Sequence, residues 1–169
     1  GMTTLRISDD ALVLALGADA VAAAFEAAGC TVERVSSWGM HWLEPLVEVE
    51  CAAGRIAYGP VTARDVPGLL RAGLLEGGAH PLRIGPIGQH PWLASQQRLT
   101  FARVGDFDPL DLDAYEASGG YRGLRRALEI GPAAAVKEVL DSGLRGRGGA
   151  AFPTGIKWQT VLDQPPGQR

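Results

Sequence analysis

Apolar residues first recur at a period of two, in Leu5-Arg6-Ile7-Ser8, which predicts a short strand with one buried face. The period then lengthens. Val21, Phe25 and Ala28 fall at helical spacing within residues 17–28, and Gly29 supplies the stop. Thr31 to Val35 reads as a second strand. Leu46-Val47-Glu48-Val49-Glu50-Cys51 alternates again, and Ala52-Ala53-Gly54 turns the chain into Arg55-Ile56-Ala57-Tyr58, a hairpin. Thr62 opens a T-x-x-D pattern with Asp65, ahead of a helix carrying Leu69, Leu70 and Leu74. Pro67 leaves the start of that helix open, because its ring removes a backbone donor. The order strand, helix, strand, hairpin, helix predicts a small α/β layer architecture over residues 2–76.

From residue 77 to residue 107 the periodicity breaks down. Gly77-Gly78, Pro81, Gly85-Pro86, Gly88 and Pro91 punctuate the segment, which predicts an irregular connector. Trp92 and Leu93 give that connector something to pack with. Residues 108–169 form a third region, with short helices expected over Asp111 to Ala117 and Tyr121 to Leu128. A further helix is expected over Ala133 to Asp141, with Pro132 near its start and Gly143 past its end.

Composition changes this picture little. Apolar residues make up 46% of the chain and charged residues 21%, the proportions of a globular protein. No apolar run approaches the roughly 20 residues that span a bilayer, and residues 1–6 lack the regions of a signal peptide, so a cytoplasmic protein is expected. Gly1 before Met2 reads as a cloning scar, with native sequence starting at Met2. A net charge of −3 argues against a nucleic-acid partner, which needs a basic surface. Cys30 and Cys51, the two cysteines, are too few for a four-thiolate metal site and read as reduced, packed residues.

The chemically informative stretch is Ser142-Gly143-Leu144-Arg145-Gly146-Arg147-Gly148-Gly149-Ala150-Ala151-Phe152-Pro153-Thr154-Gly155-Ile156-Lys157-Trp158. Glycines at 143, 146, 148 and 149 permit positive φ and close approach of a ligand. Successive amides in such a loop form an anion-binding concavity. Arg145, Arg147 and Lys157 add cations suited to phosphate, while Phe152 and Trp158 offer flat faces for a heteroaromatic ring. The spacing fits neither the phosphate-binding loop G-x-x-x-x-G-K-[ST] nor the Rossmann fingerprint. Composition alone leaves a flexible loop with solvated arginines open beside the cofactor reading. A single Arg-Gly-Gly triplet in an acidic chain is a poor match to RNA-binding tracts, which repeat it in basic surroundings.

This segment resembles the G-L-R-G-R-G-G-A-G-F-P-T-G-x-K-W signature of the flavoprotein subunits of respiratory NADH dehydrogenase (complex I). NAD-reducing hydrogenases and NAD-dependent formate dehydrogenases share that signature. Ala151, where the pattern has glycine, is the one departure. The resemblance implies that Gly146, Arg147, Gly148, Gly149 and Lys157 hold FMN, and that Phe152 lies where the nicotinamide nucleotide docks. Residues 111–124 are similar to the helical lead-in of the same flavoproteins. The resemblance also implies that further cofactor-site residues and the ligands of a 4Fe-4S cluster lie beyond Arg169, which leaves residues 143–169 without a facing wall.

The N-terminal region resembles the thioredoxin-like [2Fe-2S] domains associated with these flavoproteins. The four ligand positions of that pattern fall on Ser8, Val13, Ser37 and His41. Valine cannot ligate iron and serine is a poor ligand, so a domain without cluster or metal is expected. An empty thioredoxin-like domain beside the flavin signature is similar to the β subunit of NAD-dependent formate dehydrogenase. Residues 42–49 and 97–105 also resemble that subunit. The parent protein implied exchanges electrons between FMN and NAD(H), with a molybdenum- or tungsten-containing catalytic subunit and a 2Fe-2S subunit as partners. No residue of this chain is expected to be catalytic. The alternatives are the diaphorase subunit of an NAD-reducing hydrogenase, a complex I flavoprotein, or a non-catalytic thioredoxin-like interaction module.

Overall fold

The computed structural model describes residues 4–165 and Gly167. The reading of Met2 as the native start falls outside the described residues. The chain divides into two compact units, Gly1–Tyr115 and Glu116–Arg169.

The first unit is built on a five-stranded mixed sheet, the α/β class expected. Strand β1 (Thr4–Ser8) leads through helices α1 (Ala11–Ala15) and α2 (Ala18–Ala27) to β2 (Thr31–Val35). The hairpin follows as β3 (Val47–Cys51) and β4 (Gly54–Tyr58), then α3 (Val66–Arg71), β5 (Arg83–Pro86) and α4 (Pro91–Ala94). The sheet order is β2-β1-β3-β4-β5. The β1–β2 pair is parallel, joined by the helical crossover, and every other pair is antiparallel.

Strand alternation gives the sheet two unlike faces. Leu5, Ile7, Val47, Val49, Ile56 and Tyr58 point to one side and pack with Val13, Val21, Phe25 and Leu69 from the helices into the main core. The other side carries Arg6, Glu48, Glu50, Arg55 and Ala57, paired across the strands as Arg6 with Glu48, Glu50 with Arg55 and Glu48 with Ala57. Part of this second face is covered by a smaller cluster of Met40, Leu46, Ala57, Ile87 and Leu93, with Trp38 against it.

Burying this charged face demands partners. The Glu48 side chain is 3% exposed and forms an ion pair with the Arg55 guanidinium. Trp38 Nε1–H donates to Glu48 Oε1 at 2.5 Å. Arg55 also donates to the Gly105 carbonyl oxygen and pairs with Asp106 at 3.0 Å. The Asp108 amide donates to Glu33 Oε1 at 3.2 Å. These contacts bind residues 105–108 to strands 50 and more residues earlier. Gly105, at φ +83°, lies so close to Trp38 that a Cβ there would sit 2.8 Å from the indole.

Two local expectations are refined. Thr62 is not the cap. Its amide and hydroxyl donate to Asp65 Oδ2 at 2.8 and 2.7 Å, making a turn, and the helix starts after Asp65 with Pro67 in its first turn, where no N–H is needed. The segment 77–107 holds an ordered edge strand, β5, whose four residues include Gly85 and Pro86. Proline ends an edge strand without loss of a ladder bond, so these residues hid a strand behind breakers. The helix α1 was not anticipated either, since five residues give too little periodicity to read.

In the second unit, α5 (Leu112–Ala117) carries the boundary, followed by α6 (Arg122–Ile130), α7 (Pro132–Asp141) and α8 (Thr154–Leu162). Its large side chains are mostly exposed, and Val136 is its buried apolar side chain among the described residues. No helix among the described residues is long and apolar enough to cross a membrane.

Burial raises the Glu48 carboxyl above its ordinary range, while Arg55 and the Trp38 indole pull it back. A carboxyl raised in the folded state stabilises most below its unfolded value of 4.5, and that contribution is lost as pH rises through the folded value. Arg55→Met leaves the carboxyl without its cation. It should destabilise the first unit by about 3 kcal/mol at pH 7, with a smaller loss at pH 5, because a carboxyl raised by burial takes up its proton at a higher pH than an ordinary one. Urea unfolding at the two pH values checks this; an equal loss at both contradicts it.

Candidate functional site

The glycine-rich segment is a closed hairpin loop between α7 and α8. Pro132 starts α7 and Gly143, at φ +67°, ends it. The Ser142 hydroxyl donates to the Val139 carbonyl at 2.7 Å and accepts the Leu144 amide at 3.2 Å. Residues 144–146 then run antiparallel to residues 152–154. Arg145 bridges Pro153, the Gly146 amide donates to the Phe152 carbonyl at 2.9 Å, and the Thr154 amide donates to Leu144 at 2.9 Å. A turn at the tip is closed by the Ala151 amide on the Gly148 carbonyl at 3.2 Å.

The residues singled out take different places on this loop. Gly148 and Gly149 are at the tip, with no atom within 4 Å of where a Cβ would stand. Gly146 backs onto the Phe152 backbone at ordinary contact distance. Arg147 is exposed and forms no ion pair among the described residues. Lys157, in the second turn of α8, sets its Nζ 5.7 Å from the centroid of the Phe152 ring. The structure thus brings Lys157 and Phe152 together and leaves Arg147, Gly148 and Gly149 open beside them on one short loop.

Several roles differ from those read in the sequence. Arg145 is a brace, its Nε–H donating to the Ala151 carbonyl at 2.7 Å. Gly146, Gly148 and Gly149 do not have positive φ, whereas Ala151 does, at +45°. The open tip glycines answer neither a backbone strain nor a packing need within the chain. What they leave is room for something to approach the backbone. Trp158 lines a groove of about 400 Å³ with Arg126, Ile130, Glu138 and Val139 from α6 and α7. Gly155 is a packing residue that the sequence reading passed over. A Cβ there would stand 2.7 Å from the Leu140 amide nitrogen, so its absence lets α8 cross α7 closely.

The four positions aligned with cluster ligands lie in the first unit and are bound up in its own structure. Val13 is fully buried in the main core. The Ser8 hydroxyl accepts the Asp10 amide at 3.1 Å. The Ser37 hydroxyl donates to Glu44 Oε1 at 2.7 Å, and Glu44, 4% exposed, also accepts the Leu46 amide at 2.6 Å. Burial raises the Glu44 carboxyl, against the hydrogen bonds from Ser37 and Leu46. His41 is exposed in a single 3₁₀ turn, His41–Leu43.

No protein-family model matches the chain. It is 47% identical over 74 residues to the HndC subunit of the NADP-reducing hydrogenase of Solidesulfovibrio fructosivorans, a stretch covering 44% of this chain and 15% of that protein. It is 56% identical over 50 residues to the F subunit of the NADH-quinone oxidoreductase of Streptomyces coelicolor, covering 30% of this chain and 11% of the relative. With the F subunit of the Escherichia coli NADH-quinone oxidoreductase it shares 48% over 64 residues, 37% of this chain and 14% of that one. The matches therefore span about a seventh of these relatives or less. Among solved structures, the thioredoxin-like [2Fe-2S] ferredoxin from Aquifex aeolicus aligns with a TM-score of 0.40 and 17% identity, over 49% of this chain and 96% of that chain.

The loop's backbone makes two opposite predictions. At Ala151 the left-handed conformation costs roughly 1–2 kcal/mol with a side chain, of which glycine's extra unfolded-state entropy takes back about 0.4–1. Ala151→Gly should therefore stabilise the second unit by about 0.5–1 kcal/mol. At Gly155 an added methyl meets backbone, so Gly155→Ala should destabilise it by about 1–3 kcal/mol. Chemical denaturation of both variants measures the signs, and a stabilising Gly155→Ala contradicts the α7–α8 packing.

Proposed function

We propose that this chain is part of the NADH-binding flavoprotein subunit of an NAD-linked oxidoreductase of the formate dehydrogenase type. In this reading residues 108–169 begin the FMN- and NADH-binding domain, and residues 2–76 are a thioredoxin-like domain without cluster ligands. The observation that carries the reading is the hairpin loop whose tip glycines are open to approach and whose two cations, Arg147 and Lys157, lack a carboxylate partner among the described residues. The similarity to HndC and to the F subunits of NADH-quinone oxidoreductases supports it.

These residues suit a phosphate-bearing aromatic cofactor. The amides of Gly148 and Gly149 would supply partial positive charge, Gly146 close backbone approach, Lys157 and Arg147 formal charge, and Phe152 a face for the nicotinamide nucleotide. FMN, when bound, supplies the hydride chemistry with NAD(H). The chain's own task is to bind, to orient and to keep Lys157 beside the Phe152 ring, 5.7 Å away, before any ligand arrives. In this reading none of the described residues is assigned as acid, base or nucleophile for formate. The proposed partners are a molybdenum- or tungsten-containing subunit that oxidises formate and a 2Fe-2S subunit, with a 4Fe-4S cluster in the full-length flavoprotein. Formate as donor is supported by the pairing of the flavin signature with a domain whose ligand positions are Ser8, Val13, Ser37 and His41. The similarity to HndC favours the second reading, a diaphorase subunit of a hydrogenase. NAD+ reduction by the purified complex with formate, against hydrogen, separates the two.

The cofactor assignment is tested in the full-length subunit. A charge-assisted hydrogen bond to phosphate contributes roughly 1.5–3 kcal/mol, so Lys157→Met should weaken FMN retention about ten- to a hundredfold. Arg147→Ala should lower flavin retention or raise the Michaelis constant for NADH, and Arg122→Ala, outside the loop, should change neither. Full flavin content and normal NADH–ferricyanide activity in Lys157→Met would remove that lysine from the site.

A further inference from the structure

The first unit holds a cavity that the flavoprotein reading does not use. It has a volume of about 830 Å³, within the range of small-molecule sites, and lies between the Ser36–Gly39 loop and residues 96–104. Both walls are held. Residues 105–108 are tied to the sheet through Arg55 and Glu33, and Leu93, just before the segment, is buried in the second cluster. On the other wall, Trp38 is fixed by its hydrogen bond to Glu48 and by Gly105 against its ring.

Two guanidinium groups flank the Trp38 ring, Arg55 at 5.2 Å and Arg98 at 5.0 Å from its centroid. They differ in what else they meet. Arg55 pairs with Glu48 and Asp106. Arg98, which lines the cavity, has no carboxylate partner among the described residues. A contact through the ring face leaves guanidinium N–H donors available, and arginine takes a carboxylate or phosphate through such donors. On the same lining, the Ser36 and Thr100 hydroxyls offer further donors. Leu99 and Phe101, 91% and 63% exposed, add apolar surface. Asp10 also lines the cavity, where its carboxylate accepts the Ser37 amide at 2.8 Å.

We infer that this cavity is a binding site for a small organic anion, its carboxylate or phosphate on Arg98 and its apolar body against Phe101 and Leu99. The site shares no residue with the glycine-rich loop and stands whether or not that loop holds a flavin.

Phenyl phosphate is the probe, titrated into the full ¹⁵N-labelled chain, with inorganic phosphate and phenol as its two halves. Saturable shifts of the Trp38 indole N–H and the Arg98 amide are expected with phenyl phosphate, weaker ones with phosphate, and none with phenol. Arg98→Met keeps the stem on Trp38 and should weaken binding at least about tenfold. Phe101→Ala, at an exposed position that cannot unsettle the core, should weaken phenyl phosphate and leave inorganic phosphate unchanged. Lys157→Met should leave the Trp38 response unchanged, which separates this site from the loop. Shifts confined to residues 146–157, undiminished binding in Arg98→Met, or equal affinity for inorganic and phenyl phosphate would each overturn the inference.

Discussion

A charged pair on the inward side of a sheet strand constrains the first unit more than any single apolar contact. Glu48 lies on β3 between Val47 and Val49, so the alternation that sends those valines into the main core sends its carboxylate to the opposite face. A buried carboxylate is tolerable only with a cation and hydrogen bonds to meet it. Arg55 on β4 and the Trp38 indole meet those demands. Each then imposes a condition of its own. Arg55 draws residues 105 and 106 across the sheet, and Trp38 requires a glycine at 105. The placement of residues 105 and 106 against the sheet thus follows from one carboxylate placed by a period of two.

The same region holds its shape through its own side chains. Here Val13 is an apolar anchor, Ser8 closes a turn, and Ser37 joins a buried Glu44 that also holds the Leu46 amide. Hydrogen bonds and packing tie these loops to the sheet and to one another. The loop is complete in itself, and its neighbour Trp38 is free to serve as a platform for Arg98.

The second unit shows the opposite economy. Its helices bury little, and its best-defined feature is the hairpin loop, closed by backbone bonds and by Arg145 rather than by a core. Such a loop leaves its tip glycines open and Arg147 and Lys157 exposed. This is why the cofactor reading rests on the loop and not on the helices around it.

Much of the architecture was legible in the sequence because it depends on local periodicity. Strands β2, β3 and β4, helix α2 and helix α7 each carry a pattern long enough to read, and Gly29 and Gly143 mark helix ends through a conformation few other residues adopt. The signature with Gly146, Arg147, Gly148, Gly149, Phe152 and Lys157 was equally visible, since its residue types and spacing are contiguous. The tertiary structure decided what contiguity cannot carry. It turned Arg145 from a ligand candidate into a brace, put positive φ at Ala151 and not at Gly146, Gly148 or Gly149, and made Gly155 a helix-crossing residue. It also placed β5 on the sheet edge and Arg98 over Trp38, 60 positions apart in the chain. Those outcomes depend on which side chains meet after folding, and a linear pattern records spacing along the chain, not the distances that folding creates.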